Sequence, residues 1–384
     1  MPAPAPFTCA VPSAVLDDLR QRLARTRWPD PSPGYGWKQG TELAYLQSLV
    51  ETWRTDFDWR KQEARLNAFP QFTAEVDGLR LHFLHARSPH AAARPLLLLH
   101  GWPGSVFEFL KLIPRLVEPE KFGGRAQDAL HVVAPSLPGY GFSAAPRAPG
   151  GSPRQFARWL HRLMTEALGY RSYFAQGGDW GSVIASWLAL DRPGAAGALH
   201  LNMMGLRPNP GPGARPLGPE EQAYLERAKR LRSEELAYQA IQGTKPQSLG
   251  YGLHDSPAGL AGWLVEKYRA WTDCGGDVER ALTREEILTL VTAYWVTGTI
   301  TSSLRLYFEF RASQDALAPG QRVEVPVGFA DFPGEILRVP RAMAERAYNI
   351  VRWTEMPRGG HFAALEQPEA LARDLWAFFG GQPR

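Results

Sequence analysis

The sequence predicts an α/β fold, a mostly parallel sheet with helices on both faces. Three observations predict it. Short apolar runs at 95–99 and, interrupted only by His131, at 129–134 read as strands buried on both faces, because a strand covered on one side only would alternate apolar and polar residues. Helical patterns near 104–117 and 153–168 alternate with such runs, as parallel strands joined by crossover helices require. Between an apolar run at 172–175 and a helix-like run at 183–190 stands Gln176-Gly177-Gly178-Asp179-Trp180-Gly181-Ser182, a strand-to-helix turn framed by glycines.

In chain order, residues 11–27 carry Val15, Leu16, Leu19 and Leu23 at helical spacing and end at Trp28-Pro29. Further helices are expected at 41–56 and 59–67. Asp77-Gly78 between the runs 72–76 and 79–84 is a hairpin signal. After Leu199-His200-Leu201-Asn202 the rhythm breaks, and residues 206–219 hold five prolines. A helix-rich stretch at 219–316 precedes strand patterns at 323–330 and 350–353. A helical insertion in such a sheet reads as a lid over the carboxyl ends of the strands, where ligands bind. The expected division is a helical extension at 1–70, a first core part at 71–204, a lid at 205–320 and a second core part at 321–384.

Composition bounds the function. The 384 residues are 44% hydrophobic and 21% charged, enough apolar residue for a sizeable core. The net charge of +4 is dispersed, so a solvated surface is expected and no nucleic-acid partner. Cys9 and Cys274 are far apart and read as two free thiols, neither a disulfide framework nor a metal cluster. The first residues lack the basic and apolar regions of a secretory signal. The longest aliphatic run, 96–99, falls far short of the roughly 20 residues that span a bilayer. A cytoplasmic location without a membrane anchor is expected, and a homo-oligomer is left open.

The turn at 176–182 carries the chemistry. Small residues on either side of a central reactive residue mark a nucleophile elbow, where bulkier side chains would collide in the sharp turn. The centre is usually Ser, which builds an acyl-enzyme. Here it is Asp179, and a carboxylate attacking saturated carbon builds an alkyl ester instead. That favours opening an epoxide or displacing a halide. Taken alone, the same residues also suit a tight turn with Asp179 capping a helix.

Three further segments complete a constellation. His100-Gly101-Trp102-Pro103-Gly104-Ser105 follows the 96–99 strand directly, with a cis Trp102-Pro103 bond expected. Its Trp102 amide and the Trp180 amide could together hold an oxyanion. His100 reads as a structural brace of that loop. Arg358-Gly359-Gly360-His361-Phe362 follows the last strand, and His361 alone among the nine histidines has the loop context of a general base. An acid is expected between lid and base, and Asp331 and Glu335 both qualify; either could equally be a loop carboxylate. The order nucleophile, acid, histidine is that of the α/β-hydrolases.

With these motifs assembled, the chain resembles the microsomal-type epoxide hydrolases, the branch with an N-terminal extension before an α/β-hydrolase core. The resemblance covers nearly the whole chain. It rests on Arg27-Trp28-Pro29, Asp56-Phe57-Asp58-Trp59-Arg60 and Leu66-Asn67-Ala68-Phe69-Pro70 in the extension. In the core it rests on the 100–105 loop, Leu137-Pro138-Gly139-Tyr140-Gly141-Phe142-Ser143, the elbow and the 358–364 segment. In the lid it rests on Gln242-Gly243-Thr244-Lys245-Pro246-Gln247, His254-Asp255-Ser256-Pro257 and Tyr294-Trp295-Val296-Thr297-Gly298-Thr299. Membrane-bound members carry an anchor helix that this sequence does not show, so a soluble bacterial-type member is expected.

The resemblance implies roles. Asp179 matches the nucleophile, His361 the base, and Glu335 in Phe332-Pro333-Gly334-Glu335 the charge-relay acid. Tyr238 and Tyr307 match two lid tyrosines that donate hydrogen bonds to the epoxide oxygen; by pattern alone both are amphipathic-helix residues. The implied reaction converts an epoxide and water to a vicinal diol through an ester on Asp179, without metal or organic cofactor. Trp102, Trp180, Phe362 and Tyr140 suggest a small apolar or aromatic substrate. A haloalkane dehalogenase would use the same Asp, His and acid but would not need the tyrosines. A catalytically silent ligand-binding hydrolase fold is the rival of another class.

Overall fold

The computed structural model describes residues 2–382. Nine strands form one sheet in the order β1-β2-β3-β5-β4-β6-β7-β8-β9. They are β1 (Ala5–Phe7), β2 (Gln71–Val76), β3 (Leu79–Ala86), β4 (Arg94–Leu99), β5 (Leu130–Pro135), β6 (Tyr173–Gly177), β7 (Ala196–Leu201), β8 (Val323–Asp331) and β9 (Tyr348–Glu355). From β5 to β9 all neighbours are parallel, and β1, β2 and β3 add an antiparallel edge. The expected hairpin closes at Asp77 and Gly78, whose φ values of 51° and 74° give the two left-handed residues of a tight primed turn. Strand β1 was not anticipated. It is three residues long and contains Pro6, so no alternation is visible, and proline is tolerated because this is an edge.

The extension supplies α1 (Ser13–Ala24), α2 (Leu43–Thr55) and α3 (Trp59–Asn67). Leu16, Leu19 and Leu23 form the buried stripe of α1, each burial worth about 1.5–3 kcal/mol. Segment 104–117 is less regular than its pattern suggests. A 3₁₀ turn at Val106–Phe109 and the short α4 (Ile113–Val117) replace one helix, because Pro114 lacks the amide to continue the first turn. The next helix, α5 (Pro153–Arg162), runs on into a π turn and packs on α6 (Asp179–Asp191), which is buried from Trp180 to Ala189.

Six helices lie between β7 and β8: α7 (Pro219–Glu234), α8 (Ala237–Gln242), α9 (Pro246–Asp255), α10 (Pro257–Trp271), α11 (Arg284–Thr297) and α12 (Ile300–Ser313). These are the lid. The chain bends by 88° between α11 and α12 at Gly298, which takes φ 63°. Lid hydroxyls hold the carbonyls of the 100–105 loop: Tyr268 Oη donates to Pro103 O at 2.9 Å and Tyr294 Oη to Gly104 O at 2.8 Å. The extension grips the lid from outside through Gln62 to Glu285 (2.8 Å) and Thr41 to the Gly262 carbonyl (2.6 Å). The chain closes with α13 (Arg341–Ala344), α14 (Ala363–Glu366) and α15 (Pro368–Gly380), whose Leu375, Phe378 and Phe379 are buried against the sheet. Among the described residues no single helix is long and apolar enough to cross a membrane.

Candidate active site

Strand β6 ends at Gly177 and α6 begins at Asp179, with Gly178 between them. A Cβ on Gly177 would stand 2.3 Å from the Gly181 carbonyl carbon, and one on Gly181 would stand 2.2 Å from Leu99 O. No side chain fits at either place, so the glycines of the motif are steric necessities. Asp179 has φ 44°, a left-handed conformation rare outside glycine that costs on the order of 1–3 kcal/mol. The turn aims its carboxylate at the loop after β4. Oδ1 accepts the Trp102 amide at 2.7 Å, across the cis Trp102-Pro103 bond that the sequence led us to expect. The Trp180 amide lies in the first turn of α6, where amides have no partner within the helix.

His361 presents its two nitrogens to two carboxylates. Nδ1 lies 2.9 Å from Glu335 Oε2 and Nε2 lies 3.6 Å from Asp179 Oδ2. Glu335 only accepts, so Nδ1 carries a hydrogen and Nε2 is the nitrogen left to face Asp179. The backbone holds this geometry: His361 N donates to Trp271 O at 2.9 Å, and an isolated bridge joins Gly334 to Gly360. Glu335 Oε1 is occupied by the Leu337 amide at 3.0 Å. Burial opposes a charge on His361, but Glu335 and Asp179 outweigh it and hold the ring well above its ordinary pKa. Asp331 does not reach His361. Both its oxygens take the Arg338 guanidinium at 2.7 Å. His100 braces the loop, with Nδ1 3.0 Å from Gly101 O and Nε2 accepting the Leu137 amide at 3.2 Å; burial pushes it down to about 4, so it stays neutral.

The lid brings Tyr238 from α8 and Tyr307 from α12 together, their ring centroids 5.9 Å apart. Tyr238 stacks on Trp102 at 5.3 Å, and Tyr307 stands edge-on to Trp180 at 4.7 Å. Both rings, with Asp179, Trp180 and His361, line one cavity of about 900 Å³. Tyr238 Oη accepts from Gln239 at 3.1 Å. The buried Tyr307 hydroxyl has no well-formed hydrogen bond among the described residues, though Tyr238 is near enough to act on it electrostatically. Burial first, and then the Asp179 charge, raises Tyr238; burial, Tyr238 and Asp179 raise Tyr307. Both remain protonated donors at neutral pH.

Some residues of the site escape pattern reasoning. Lys267, buried in α10, holds its ammonium 4.7 Å from the centroid of Tyr238. Nothing in its helical spacing marks it. Glu108 is a buried carboxyl whose Oε1 accepts the Ser105 amide at 3.1 Å; burial pushes its pKa up to about 8. Its signal was present, since Ser105 and Glu108 form a capping box. Glu108, Gln176, Asp179, Asn202 and His361 bound a second, small cavity of about 20 Å³, room for one water. Gln176 donates to Asn202 Oδ1 at 2.9 Å, and its own Oε1 is buried without a partner among the described residues.

A parallel sheet, an elbow at the carboxyl end of β6 and a histidine on the loop after β9 define the class of protein as an α/β-hydrolase. The family model described as "alpha/beta hydrolase fold" matches residues 94–238, and that described as "Epoxide hydrolase N terminus" matches residues 4–109. A Stigmatella aurantiaca protein is 47% identical over 96% of this chain and 83% of its own length. Epoxide hydrolase 1 of Sus scrofa is 38% identical over 98% of this chain and 88% of its own. The solved epoxide hydrolase of Aspergillus niger superposes with a TM-score of 0.85 at 33% identity, covering 99% of this chain and 96% of that one. The juvenile hormone epoxide hydrolase of the silkworm Bombyx mori gives 0.87 at 33% identity, covering 98% and 94%. The chain belongs to the epoxide hydrolase family. These relatives do not favour the haloalkane dehalogenase alternative.

Proposed function

We propose that this chain opens an epoxide to a vicinal diol in two steps at Asp179. The observation that supports this reading best is the convergence of Tyr238, Tyr307, Asp179 and His361 on one cavity. In the first step Asp179 attacks an epoxide carbon, the C–O bond breaks, and the oxygen takes a proton from a tyrosine. The His361 imidazolium returns that proton to the tyrosine, so the hydroxyalkyl ester forms beside a neutral imidazole. Esterification removes the Asp179 charge that helps hold the proton on His361. The base is therefore released when the second step needs it.

In the second step His361 takes a proton from water, and the hydroxide attacks the Asp179 carbonyl carbon. The amides of Trp102 and Trp180 hold the resulting oxyanion, each such donor worth about 2.7–4 kcal/mol. Collapse releases the diol, restores the carboxylate and leaves the extra proton on His361, which regenerates the starting state. Glu335 orients the ring and stabilises its charge. The small cavity by the elbow is a natural source of the water, since His361 and Asp179 both border it. The large cavity is walled by Val183, Met203, Leu236 and Phe310, which suits an apolar or aromatic body. We read residues 205–320 as the lid unit and 1–70 as the extension that secures it.

The test is a trapped intermediate. With His361→Gln, mixing with an epoxide should yield an adduct of the full epoxide mass on the peptide containing Asp179, seen by intact-protein and peptide mass spectrometry. Absence of any adduct from a substrate that the wild type converts would replace the ester with direct attack by water.

A further inference from the structure

We infer that the epoxide this site is built for carries an anionic group, a carboxylate or phosphate, at the far end of an apolar body. This deepens the reading above and rests on it. The large cavity lined by Asp179 and His361 is also lined by Arg207, Arg232 and Arg311, all exposed. Among the described residues none of the three has a carboxylate partner or a hydrogen bond. Some arginines elsewhere are tied down, as Arg154 is by both oxygens of Asp191 and Arg125 by both oxygens of Asp128, while others such as Arg25 and Arg147 are as free; what sets these three apart is that they line one cavity with Asp179 and His361.

The carboxylates that line the same cavity away from Asp179 are already engaged. Glu345 takes Arg341 at 2.7 Å, and Asp315 takes the Ser152 hydroxyl at 2.9 Å and faces Arg154 at 3.9 Å. Two more lining arginines, Arg215 and Arg346, share the single carboxylate of Glu221, which leaves a further positive charge uncompensated. The half-buried Tyr224 belongs to the same wall. Burial raises its pKa, with Glu335 adding to the rise, while the charges of Arg207, Arg227 and Arg232 act the other way. Gathering like charges without partners costs stability. It does create a field that draws an anion to the cavity. Guanidinium forks match a carboxylate or a phosphate by two parallel hydrogen bonds. The same cavity also presents Met203, Leu206 and Leu236, and its volume of about 900 Å³ admits an extended chain.

The experiment compares kcat/KM for a medium-chain epoxy fatty acid, its methyl ester, the matching epoxy alkyl phosphate and the matching epoxy alkylamine. At low ionic strength the acid should exceed the ester by about tenfold or more, and the gap should shrink at about 0.5 M salt. The amine should be the poorest of the four. The variant Arg207→Gln/Arg232→Gln/Arg311→Gln, scored by the acid-to-ester ratio of its own preparation, should bring that ratio near one. The phosphate arm tells which anion fits better. An ester turned over as well as the acid by the wild type, or a preference that survives the triple variant or high salt, overturns the inference and leaves the epoxide reading standing. Failure to form diol from any of the four, and from a small neutral epoxide, overturns both.

Discussion

Among the described residues two buried histidines each meet a buried carboxylate through bonds of equal length. His361 Nδ1 meets Glu335 at 2.9 Å, and His200 Nε2 meets Asp374 at 2.9 Å. What separates them is the company each keeps. Asp374 also binds Arg352 at 2.7 Å and Thr354 at 2.7 Å, so a guanidinium answers its charge. His200 is fully buried on β7 against Phe378 and Phe379. His361 instead turns its second nitrogen to Asp179 and to both cavities. A short bond to a carboxylate therefore does not make a base. In the reading proposed above, what makes His361 a base is a second nitrogen turned to Asp179, whose carbonyl becomes electrophilic once it is esterified.

The strongest way to break this comparison is to remove what His361 faces. Asp179→Ala should lose more than 99% of turnover, a barrier increase above about 2.7 kcal/mol, with an unchanged circular dichroism spectrum. Retention of more than about 1% of the rate would remove Asp179 from the nucleophile role. Next in size is the tyrosine pair. Tyr238→Phe or Tyr307→Phe alone should leave partial activity, each lost hydrogen bond to the developing alkoxide costing on the order of 2–4 kcal/mol. The double variant should fail at ester formation, so no adduct accumulates in single-turnover mass spectrometry. Near wild-type epoxide opening by the double variant would mean that the tyrosines only fill space.

The two pairs can then be set against each other. Glu335→Gln should slow ester hydrolysis by on the order of 10²–10⁴ with a small change in Tm. Asp374→Asn should do the reverse, lowering stability by about 1–3 kcal/mol while folded molecules keep their turnover. The pH dependences differ in sign. Burial opposes ionisation of Asp374, but its partners hold it down at about 2, below the ordinary 3.8. Its contribution to stability is therefore complete above about 3.8 and lost as pH falls towards 2. His361 is raised, so its contribution is complete below about 6.5 and lost as pH rises through the higher folded value. Thermal unfolding against pH in the two variants should flatten opposite limbs of the profile. A loss of turnover per folded molecule in Asp374→Asn equal to that in Glu335→Gln would erase the distinction.

How much of this was legible depended on where the constraint lies along the chain. The elbow could be read because its requirements are local: Gly177 and Gly181 are forced by backbone atoms within their own turn and the adjoining strand. His361 could be read because a glycine-rich loop after the last strand has few other uses. The lid tyrosines became candidates only through family resemblance, since α8 and α12 meet at the cavity through tertiary packing that no periodicity records. Apolar spacing across 104–117 suggested one helix because periodicity does not register the break at Pro114. Strand β1 was too short to show any pattern, and Lys267 is one charged residue in an otherwise ordinary helix. The unpartnered arginines come from residues 207, 232 and 311, so only the folded chain makes them a group.

The smallest effect belongs to the carboxylate that sequence alone could not set apart from Glu335. Asp331 and Glu335 both follow the apolar part of β8, and spacing allows either to stand behind His361. The chain decides between them by what lies four and more residues on. Arg338 reaches back to both oxygens of Asp331, while the turn at Gly334, bridged to Gly360, swings Glu335 to the ring. Asp331→Asn should then remove one half-exposed ion pair and little else. Arg338 is 44% exposed and can turn to water, so the cost should be within about 1 kcal/mol, the range of solvent-screened pairs. Ester hydrolysis should run within about twofold of wild type, which corresponds to less than about 0.5 kcal/mol of barrier. Rapid-quench measurement of the hydrolysis step in Asp331→Asn and Glu335→Gln side by side decides the matter. If Asp331→Asn is the slower of the two, Glu335 is the loop carboxylate and the assignment of the acid moves to Asp331.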